Sequence, residues 1–323
     1  MEFQILLSNL TNPTLLFFVL GIIAVWLKSD LQIPESSSKF ISLYLLFSIG
    51  FKGGQELAHG GINQEIVYSL FFGLLIASII PLYTFFILKM KLSISDAGAI
   101  AATYGSVSAV TFVAAVSFLD SQSITSDGHM VAVMALMESP AIIVGVILMM
   151  KFDKEGSQSQ ETDLKTVIHH SFTNGSVLMV LGSLIIGLIA DTKQAEGIKP
   201  FTTDIFKGFL AIFLLEMGMV TATRFSSFLK YGWFVTVFSL AIPICNGCVV
   251  SYLSQFVTNE IGNRFIFAIL AASASYIAVP AAMRLAAPKA DPGLYVPMAL
   301  GVTFPFNITV GMPLYFFIVN YFS

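Results

Sequence analysis

The sequence has few charged residues. Only 11% of its 323 residues are Asp, Glu, Lys or Arg, against about 25% in a typical soluble domain. So few charges could not cover the surface of a soluble protein of this size. The net charge of −3 also leaves no basic patch for nucleic acid. These deficits exclude a cytosolic globular enzyme, a nucleic-acid-binding protein and a disordered chain.

Motifs for metal, redox or nucleotide chemistry are also lacking. The two cysteines, Cys245 and Cys248, have CxxC spacing but lie inside an apolar run, where they are expected to be small residues of a membrane helix. The four histidines show no metal-ligand spacing with acidic or Cys partners. There is no Walker-type phosphate loop and no evident nucleophile–base pair. We therefore expect neither enzymatic activity nor a bound cofactor.

Long apolar segments are abundant instead. Hydrophobic residues make up 56% of the chain, and the mean hydropathy is +0.84. A membrane-spanning helix needs about 20 mostly apolar residues. Ten segments qualify, at residues 11–28, 38–58, 65–88, 96–118, 130–150, 171–190, 205–224, 231–256, 263–286 and 295–320. The sequence therefore predicts an all-α integral membrane protein with ten transmembrane helices.

The two halves of the chain repeat each other. The polar stretch 151–170 separates residues 1–150 from residues 171–323, with five predicted helices in each half. Ile49-Gly50-Phe51 matches Met217-Gly218-Met219, and Ser106-Val107-Ser108 matches Ser273-Ala274-Ser275. Because each half has an odd number of spans, the second copy must be inverted in the membrane. The pattern predicts a 5+5 inverted repeat, an architecture of secondary transporters.

The distribution of basic residues predicts the orientation. Eleven of the 16 Lys and Arg residues lie in or beside loops that follow odd-numbered segments. The positive-inside rule places those loops in the cytoplasm. Both termini are then expected outside, and the 151–170 loop is expected to be cytoplasmic.

The fourth and ninth segments carry the predicted substrate site. Both contain small and hydroxylated residues at mid-span, and Gly105 and Pro280 are plausible break points. Two broken helices would present positively polarised N-termini to each other, which would form an anion site. The alternative is that these small residues simply allow close helix packing. The predicted substrate-binding residues are Gly105, Ser106, Ser108, Ser273 and Ser275.

A cation site is predicted beside the anion site. Glu138 lies deep in the fifth segment, where a carboxylate usually marks an ion or proton pathway; the alternative is a glutamate at a helix end facing water. Thr303 occupies the matching position in the tenth segment. Thr111 and Tyr276 supply further oxygen atoms, so Na⁺ is expected near Glu138. Lys52 and Glu216 lie in repeat-related segments, so they are expected either to pair with each other or, for Lys52, to extend to the interface.

Several short motifs resemble the sodium-dependent bicarbonate transporter family over nearly the whole chain. They include Asn12-Pro13-Thr14-Leu15, Gly105-Ser106-Val107-Ser108, Met137-Glu138-Ser139-Pro140-Ala141, Met217-Gly218-Met219 and Ala272-Ser273-Ala274-Ser275. The resemblance implies a ten-helix inverted repeat, homotrimers, Na⁺-coupled bicarbonate uptake by an elevator-like movement, and regulation by a small PII-like cytoplasmic protein. It also implies that the substrate site lies at the crossing of the fourth and ninth segments. Glu138 stands where the family usually has Asp, and Tyr276 also replaces an Asp.

Together these observations predict a bacterial inner-membrane symporter that moves a small anion, most readily bicarbonate, with Na⁺ as coupling ion. Two alternatives remain open. One keeps the architecture but transports another small carboxylate, as symporters of the bile-acid type do with the same plan. The other is a non-transporting membrane sensor whose cytoplasmic loop reports occupancy.

Overall fold

The structure is a computed structural model with an all-helical fold. It describes residues 13–60, 63–152, 169, 173, 175–228 and 231–323, and this part of the chain contains no β-strand. Most of the predicted 151–170 linker lies outside the described residues. The helices are α1 (Pro13–Trp26), α2 (Glu35–Gly60), α3 (Gln64–Leu88), α4 (Ile94–Gly105), α5 (Ala109–Ser121), α6 (His129–Phe152), α7 (Gly175–Ile189), α8 (Thr192–Glu196), α9 (Phe206–Phe228), α10 (Trp233–Leu253), α11 (Ile261–Ala272), α12 (Ala278–Ala286) and α13 (Pro292–Tyr321).

Each predicted segment coincides with helical structure in the described residues. Six helical stretches are long and apolar enough to cross a membrane: 64–88, 94–121, 129–152, 200–223, 233–256 and 292–321. Helices α1, α7 and α11 are apolar but shorter. α13 contains two π-helical turns, at Met298–Thr303 and Asn307–Gly311, in a stretch that contains Pro297, Pro305 and Pro313. Proline removes a backbone donor from the regular helical ladder, which accounts for these irregular turns.

The helices pack in two groups. In the first group, which we call the paired-helix group, α1 packs along α9 and α2 packs along α7. In the second group, the core group, α3 packs against α4 and α6, while α10 packs against α11 and α13. α5 contacts α11, so the two halves of the sequence interlock within the core group. The site described below lies where the two groups meet.

Glycines allow the two paired-helix contacts to be very close. A Cβ atom added to Gly218 of α9 would lie 2.0 Å from the carbonyl oxygen of Phe18 in α1. A Cβ atom added to Gly50 of α2 would lie 2.7 Å from the carbonyl oxygen of Val180 in α7. Both distances are too short for any side chain, so each pair packs backbone against backbone. Gly50 and Gly218 occupy the same position in the predicted repeat.

Polar contacts join the helix ends on one face of the bundle. Lys207 at the start of α9 forms an ion pair of 3.5 Å with Asp120 at the end of α5, which links the two groups. On the same face, Asn263 of α11 donates a hydrogen bond of 2.7 Å to Asp127 in the loop before α6. We call this face the 121–128 face.

A different set of polar contacts joins chain segments on the opposite face of the bundle. Tyr231, in the connection between α9 and α10, donates a hydrogen bond of 2.7 Å to Asp291. The backbone N–H of Asp291 donates to Asp96 in the first turn of α4 at 2.8 Å. This chain of contacts ties the α9–α10 connection to the core group.

Candidate functional site

The fourth predicted segment is interrupted at the expected place. α4 ends at Gly105, and α5 begins at Ala109 after the non-helical residues 106–108. The hydroxyl of Ser108 caps α5 by accepting a hydrogen bond from the backbone N–H of Thr111 at 3.2 Å. A Cβ on Gly105 would lie 2.5 Å from the Cδ atom of Pro81, so only glycine fits at the end of α4. Gly105 therefore contributes to the site by allowing the end of α4 to pack closely against Pro81.

The ninth predicted segment is interrupted as well, but not at Pro280. α11 ends at Ala272 and α12 begins at Ala278, so residues 273–277 form the break. Pro280 lies in the first turn of α12. Proline is tolerated there because its missing N–H would have no helical acceptor in the first turn. The expected break in this segment is confirmed, whereas Pro280 as the break point is wrong.

Hydrogen bonds join the two breaks directly. The backbone N–H of Ser108 donates to the Oγ atom of Ser273 at 3.1 Å. The backbone N–H of Ser275 donates to the carbonyl oxygen of Thr103 at 2.9 Å. Each break thus satisfies a backbone group that the other has freed from its helix, as irregular backbone within a membrane requires.

Two asparagines that the sequence analysis did not single out complete this arrangement. Asn246 of α10 donates to the carbonyl oxygen of Ala271 at 3.2 Å, and Asn307 of α13 donates to that of Ala272 at 2.8 Å. Both carbonyls belong to the last turn of α11, where helical acceptors have no helical donor. Tyr315 holds Asn307 with a hydrogen bond of 3.3 Å to its Oδ1 atom. The sequence feature that could have identified both residues is an amide side chain inside an otherwise apolar segment.

A cavity lies between α2 and the two breaks. About 400 Å³ of space that no atom occupies lies among its lining residues, and part of this space is open to the outside. Leu45 and Leu46 of α2 form part of its apolar wall. Ala109, the first residue of α5, and Ile277, the residue before α12, both line it, so the N-terminal ends of two helices face the same space. Its polar lining residues are Ser42, Ser108, Glu138, Ser176, Ser275 and Tyr276.

Glu138 is the acidic residue of this cavity. It lies on α6, in the middle of a helix that is long and apolar enough to span a membrane. Its carboxylate makes no hydrogen bond or ion pair to any described residue, although the side chain is only partly exposed. A carboxylate without a partner at this depth is costly unless a cation or proton neutralises it. The arrangement therefore provides a position for a cation beside two helix N-termini.

Four of the predicted site residues line the cavity together: Ser108, Ser275, Tyr276 and Glu138. The hydroxyl of Tyr276 is buried near that of Ser108, yet it makes no hydrogen bond of standard geometry within the described residues. It therefore remains available as a donor to a ligand in the cavity.

The other predicted site residues are buried around the cavity without lining it. Ser273 joins the breaks as described, and Thr111 lies in the first turn of α5. Ser106 is fully buried, and its Oγ atom has no hydrogen-bond partner in the described part of the chain. The hydroxyl of Thr303 donates to the carbonyl oxygen of Ser239 at 2.8 Å and therefore accepts a hydrogen bond of 2.8 Å from the hydroxyl of Tyr104. Its role as an ion ligand stays a prediction.

The structure does not pair Lys52 with Glu216. Lys52 lies 3.9 Å from Glu56, one turn further along α2, and both side chains are about half exposed. Glu216 instead lies near the hydroxyl of Ser38, and its Oε2 atom has no hydrogen-bond partner among the described residues. Ser38 and Lys52 are fourteen residues apart on α2, which is about 21 Å at 1.5 Å per residue. The proposed pairing is therefore wrong, because the two residues lie at different levels of the helix.

The chain matches a known protein family. A family model described as the Na⁺-dependent bicarbonate transporter superfamily matches residues 13–320. The match covers nearly the whole chain and includes both interrupted segments and α6. No curated protein matches the chain at a significant level.

Proposed function

The chain belongs to the Na⁺-dependent bicarbonate transporter superfamily, and we propose that it is a Na⁺-coupled symporter of bicarbonate. Members of a transporter family move solutes rather than transform them, so the chain is not an enzyme. The observation that carries the proposal is the cavity in which two helix N-termini, five hydroxyl side chains and the carboxylate of Glu138 face one space.

The anion would bind at the helix N-termini. Each helix end carries a partial positive charge and free N–H groups, which favour an anion without a buried Arg or Lys. Ser108, Ser275 and Tyr276 would add hydroxyl donors. The planar bicarbonate ion needs several donors at once because its two unprotonated oxygen atoms share the negative charge and both accept hydrogen bonds, while its own O–H group can donate one.

The cation would bind beside Glu138. Na⁺ is a hard cation that prefers oxygen ligands, and the Glu138 carboxylate could share it with freed carbonyl groups and with the hydroxyls of Thr111, Tyr276 and Thr303. Cation and anion together add no net charge to the site, whereas either ion alone changes its charge by one, so a carrier loaded with only one of them has the higher desolvation cost. Glu138 would thus make uptake of the anion depend on Na⁺.

The packing of the paired-helix group supports the 5+5 inverted repeat. Exchange of the two halves turns the α1–α9 pair into the α7–α2 pair, and both pairs are present. The same exchange turns the Gly218–Phe18 contact into the Gly50–Val180 contact. A pseudo-twofold axis in the membrane plane relates repeats of this kind.

The remaining features belong to the same proposal. The paired-helix group would stay fixed in a homotrimer surrounded by lipid, while the core group would carry the site across the membrane in an elevator-like movement. The protein would lie in a bacterial inner membrane with both termini outside. The 151–170 loop would then be cytoplasmic and could contact a PII-like regulator.

Flux measurements in proteoliposomes test the function. The purified protein should accumulate labelled bicarbonate when an inward Na⁺ gradient is applied, and should not do so when K⁺ replaces Na⁺. Accumulation that is equal with and without Na⁺ would contradict the symport proposal. Bound bicarbonate without any flux would instead support the sensor.

A second cargo is favoured by one observation. The phenol of Tyr276 lines the cavity and its hydroxyl is without a partner in the described residues, which suits a carboxylate with an apolar group as well as bicarbonate. Acetate, formate and pyruvate should therefore be tested as competitors of labelled bicarbonate. Competition stronger than that of unlabelled bicarbonate itself would assign the site to a small carboxylate.

A further inference from the structure

A histidine and two acidic residues meet on the 121–128 face, away from the transport cavity. Glu65 lies in the first turn of α3, Asp127 lies in the loop before α6, and His129 is the first residue of α6. Their potential ligand atoms all lie within 4.8 Å of one another. No metal-ligand spacing is visible in the sequence because Glu65 and Asp127 are 62 positions apart, and only the fold brings them together.

His129 is oriented as a metal ligand would be. The side chain is 4% exposed, and its Nε2 atom lies within hydrogen-bond distance of the Ser69 Oγ atom, at 3.2 Å. Its Nδ1 atom lies 3.8 Å from Asp127 Oδ2, too far for a hydrogen bond, and it has no other hydrogen-bond partner among the described residues. Metal-binding histidines commonly use one ring nitrogen for the metal and the other for an orienting hydrogen bond.

Both carboxylates are held by neutral donors. Asn263 accepts a hydrogen bond from the backbone N–H of Asp127 at 2.8 Å and donates to Asp127 Oδ2 at 2.7 Å. It also donates to Glu65 Oε1 at 3.4 Å, and the hydroxyl of Thr258 donates to the same oxygen. One oxygen of each carboxylate remains outside these bonds. The cluster is therefore fixed in place by its neighbours but keeps free ligand atoms.

An open cavity gives access to the cluster. Asp127 and His129 line it together with Glu56, Asn63 and neighbouring residues, and it has about 780 Å³ of empty space. A hydrated ion could enter from this side, and water molecules could complete its coordination. The cluster is distinct from the transport site, because Glu138 lies nine residues further along α6, about 14 Å away at 1.5 Å per residue.

We propose that Glu65, Asp127 and His129 bind a divalent transition-metal ion of the Zn²⁺ class. One imidazole nitrogen with two carboxylates suits Zn²⁺ and its neighbours, whereas Na⁺ and Ca²⁺ prefer oxygen ligands alone. The bound ion would tie the start of α3 to the start of α6. Asn263 and Thr258 would extend that connection to the start of α11.

Calorimetric titration of the full chain with Zn²⁺ tests the site. The protein, purified in detergent and stripped of metal with a chelator, should bind one Zn²⁺ per chain. H129Q and D127N should abolish or strongly weaken this binding. S69A, which removes the orienting hydroxyl, should weaken it by about 10–100-fold. The matched control is E56Q, because Glu56 lines the same cavity without belonging to the cluster, and it should leave the affinity within about twofold.

Two further measurements separate ligation from a loss of structure. The unfolding midpoint without metal should be similar for wild type, H129Q and E56Q, whereas added Zn²⁺ should raise it only for wild type and E56Q. Co²⁺ added to the wild type should produce visible absorption bands that saturate at one ion per chain. The proposal is overturned if the wild type binds no Zn²⁺ and gives no such bands. It is also overturned if H129Q and D127N bind Zn²⁺ as tightly as the wild type, or if E56Q loses as much affinity as they do.

Discussion

The backbone N–H of Ser108 donates a hydrogen bond to the Oγ atom of Ser273 at 3.1 Å, although 165 residues separate them along the chain. In the opposite direction, the N–H of Ser275 donates to the carbonyl oxygen of Thr103 at 2.9 Å. Unsatisfied backbone groups cost several kcal/mol each at membrane depth. The two breaks therefore stabilise each other, and neither would be stable at this depth alone.

Removal of the Ser273 hydroxyl should destabilise both breaks. S273A leaves the buried N–H of Ser108 without its acceptor, which should cost about 1–3 kcal/mol and lower Na⁺-dependent uptake. The control is S78A, because the Ser78 hydroxyl only donates to the carbonyl oxygen of Leu74 within its own helix. Unfolding in detergent and uptake in proteoliposomes would be measured for both variants. Equal effects of S273A and S78A would contradict the role assigned to the contact between the breaks.

Alanine at position 105 should not be tolerated. Its Cβ would lie 2.5 Å from Pro81 Cδ and 3.1 Å from Ala141 Cβ, so the end of α4 would have to move. We expect G105A to lower the free energy of unfolding by about 1–3 kcal/mol and to abolish uptake. G182A is the matched control, since no atom lies within 4 Å of a Cβ added there. If G105A has the unfolding free energy and the uptake of the wild type, the role assigned to close packing at the break is wrong.

Neutralisation of Glu138 should uncouple the transporter from Na⁺. E138Q keeps the size of the side chain but removes the negative charge that would hold the cation, so Na⁺-dependent uptake should be lost while expression is unchanged. E196Q, at an exposed position of α8, should behave as the wild type. The measurement is bicarbonate uptake over a range of Na⁺ concentrations. Na⁺-stimulated flux retained in E138Q would refute the role of this carboxylate.

Alkaline pH should weaken the contact between Tyr231 and Asp291. The hydrogen bond donated to Asp291 is the main cause that raises the pKa of the Tyr231 phenol above its ordinary value of 10.0, and burial adds to the effect. A raised pKa in the folded state means that the folded protein binds this proton more tightly than the unfolded chain does. The stabilisation is thus complete below about pH 10 and is lost as the pH rises through the folded-state pKa.

Y231F removes this titration, so its unfolding midpoint should fall less than that of the wild type between about pH 9 and pH 11. The comparison variant is Y321F, which alters an exposed tyrosine at the end of α13. Y321F should follow the wild type over the same pH range. An identical pH dependence of Y231F and wild type would show that this hydrogen bond does not contribute to stability.

The sequence by itself determined the long apolar segments and the position of the break in the fourth one, whereas in the ninth it indicated a break but placed it at Pro280, inside α12. Spans such as residues 65–88 and 130–150 were predictable because a bilayer sets a minimum apolar length, and α3 and α6 lie there. The stretch around Ser106 and Ser108 was predictable because small, hydroxylated residues at mid-span are poor at continuing a helix and good at capping one. Glu138 was identifiable because a carboxylate in an apolar segment is costly.

Only the tertiary structure decided which side chains meet. Asn246 and Asn307 were not identified because the carbonyls that they satisfy become free only when α11 breaks. The pairing of Lys52 with Glu216 was wrong because sequence patterns locate a residue in a segment but not at a level along the neighbouring helix. Conversely, Glu65, Asp127 and His129 lie close together although their positions in the sequence do not indicate it, because helix packing brings them together. Hydropathy and repeats are local properties of a chain, whereas distances between segments depend on packing, which no single segment encodes.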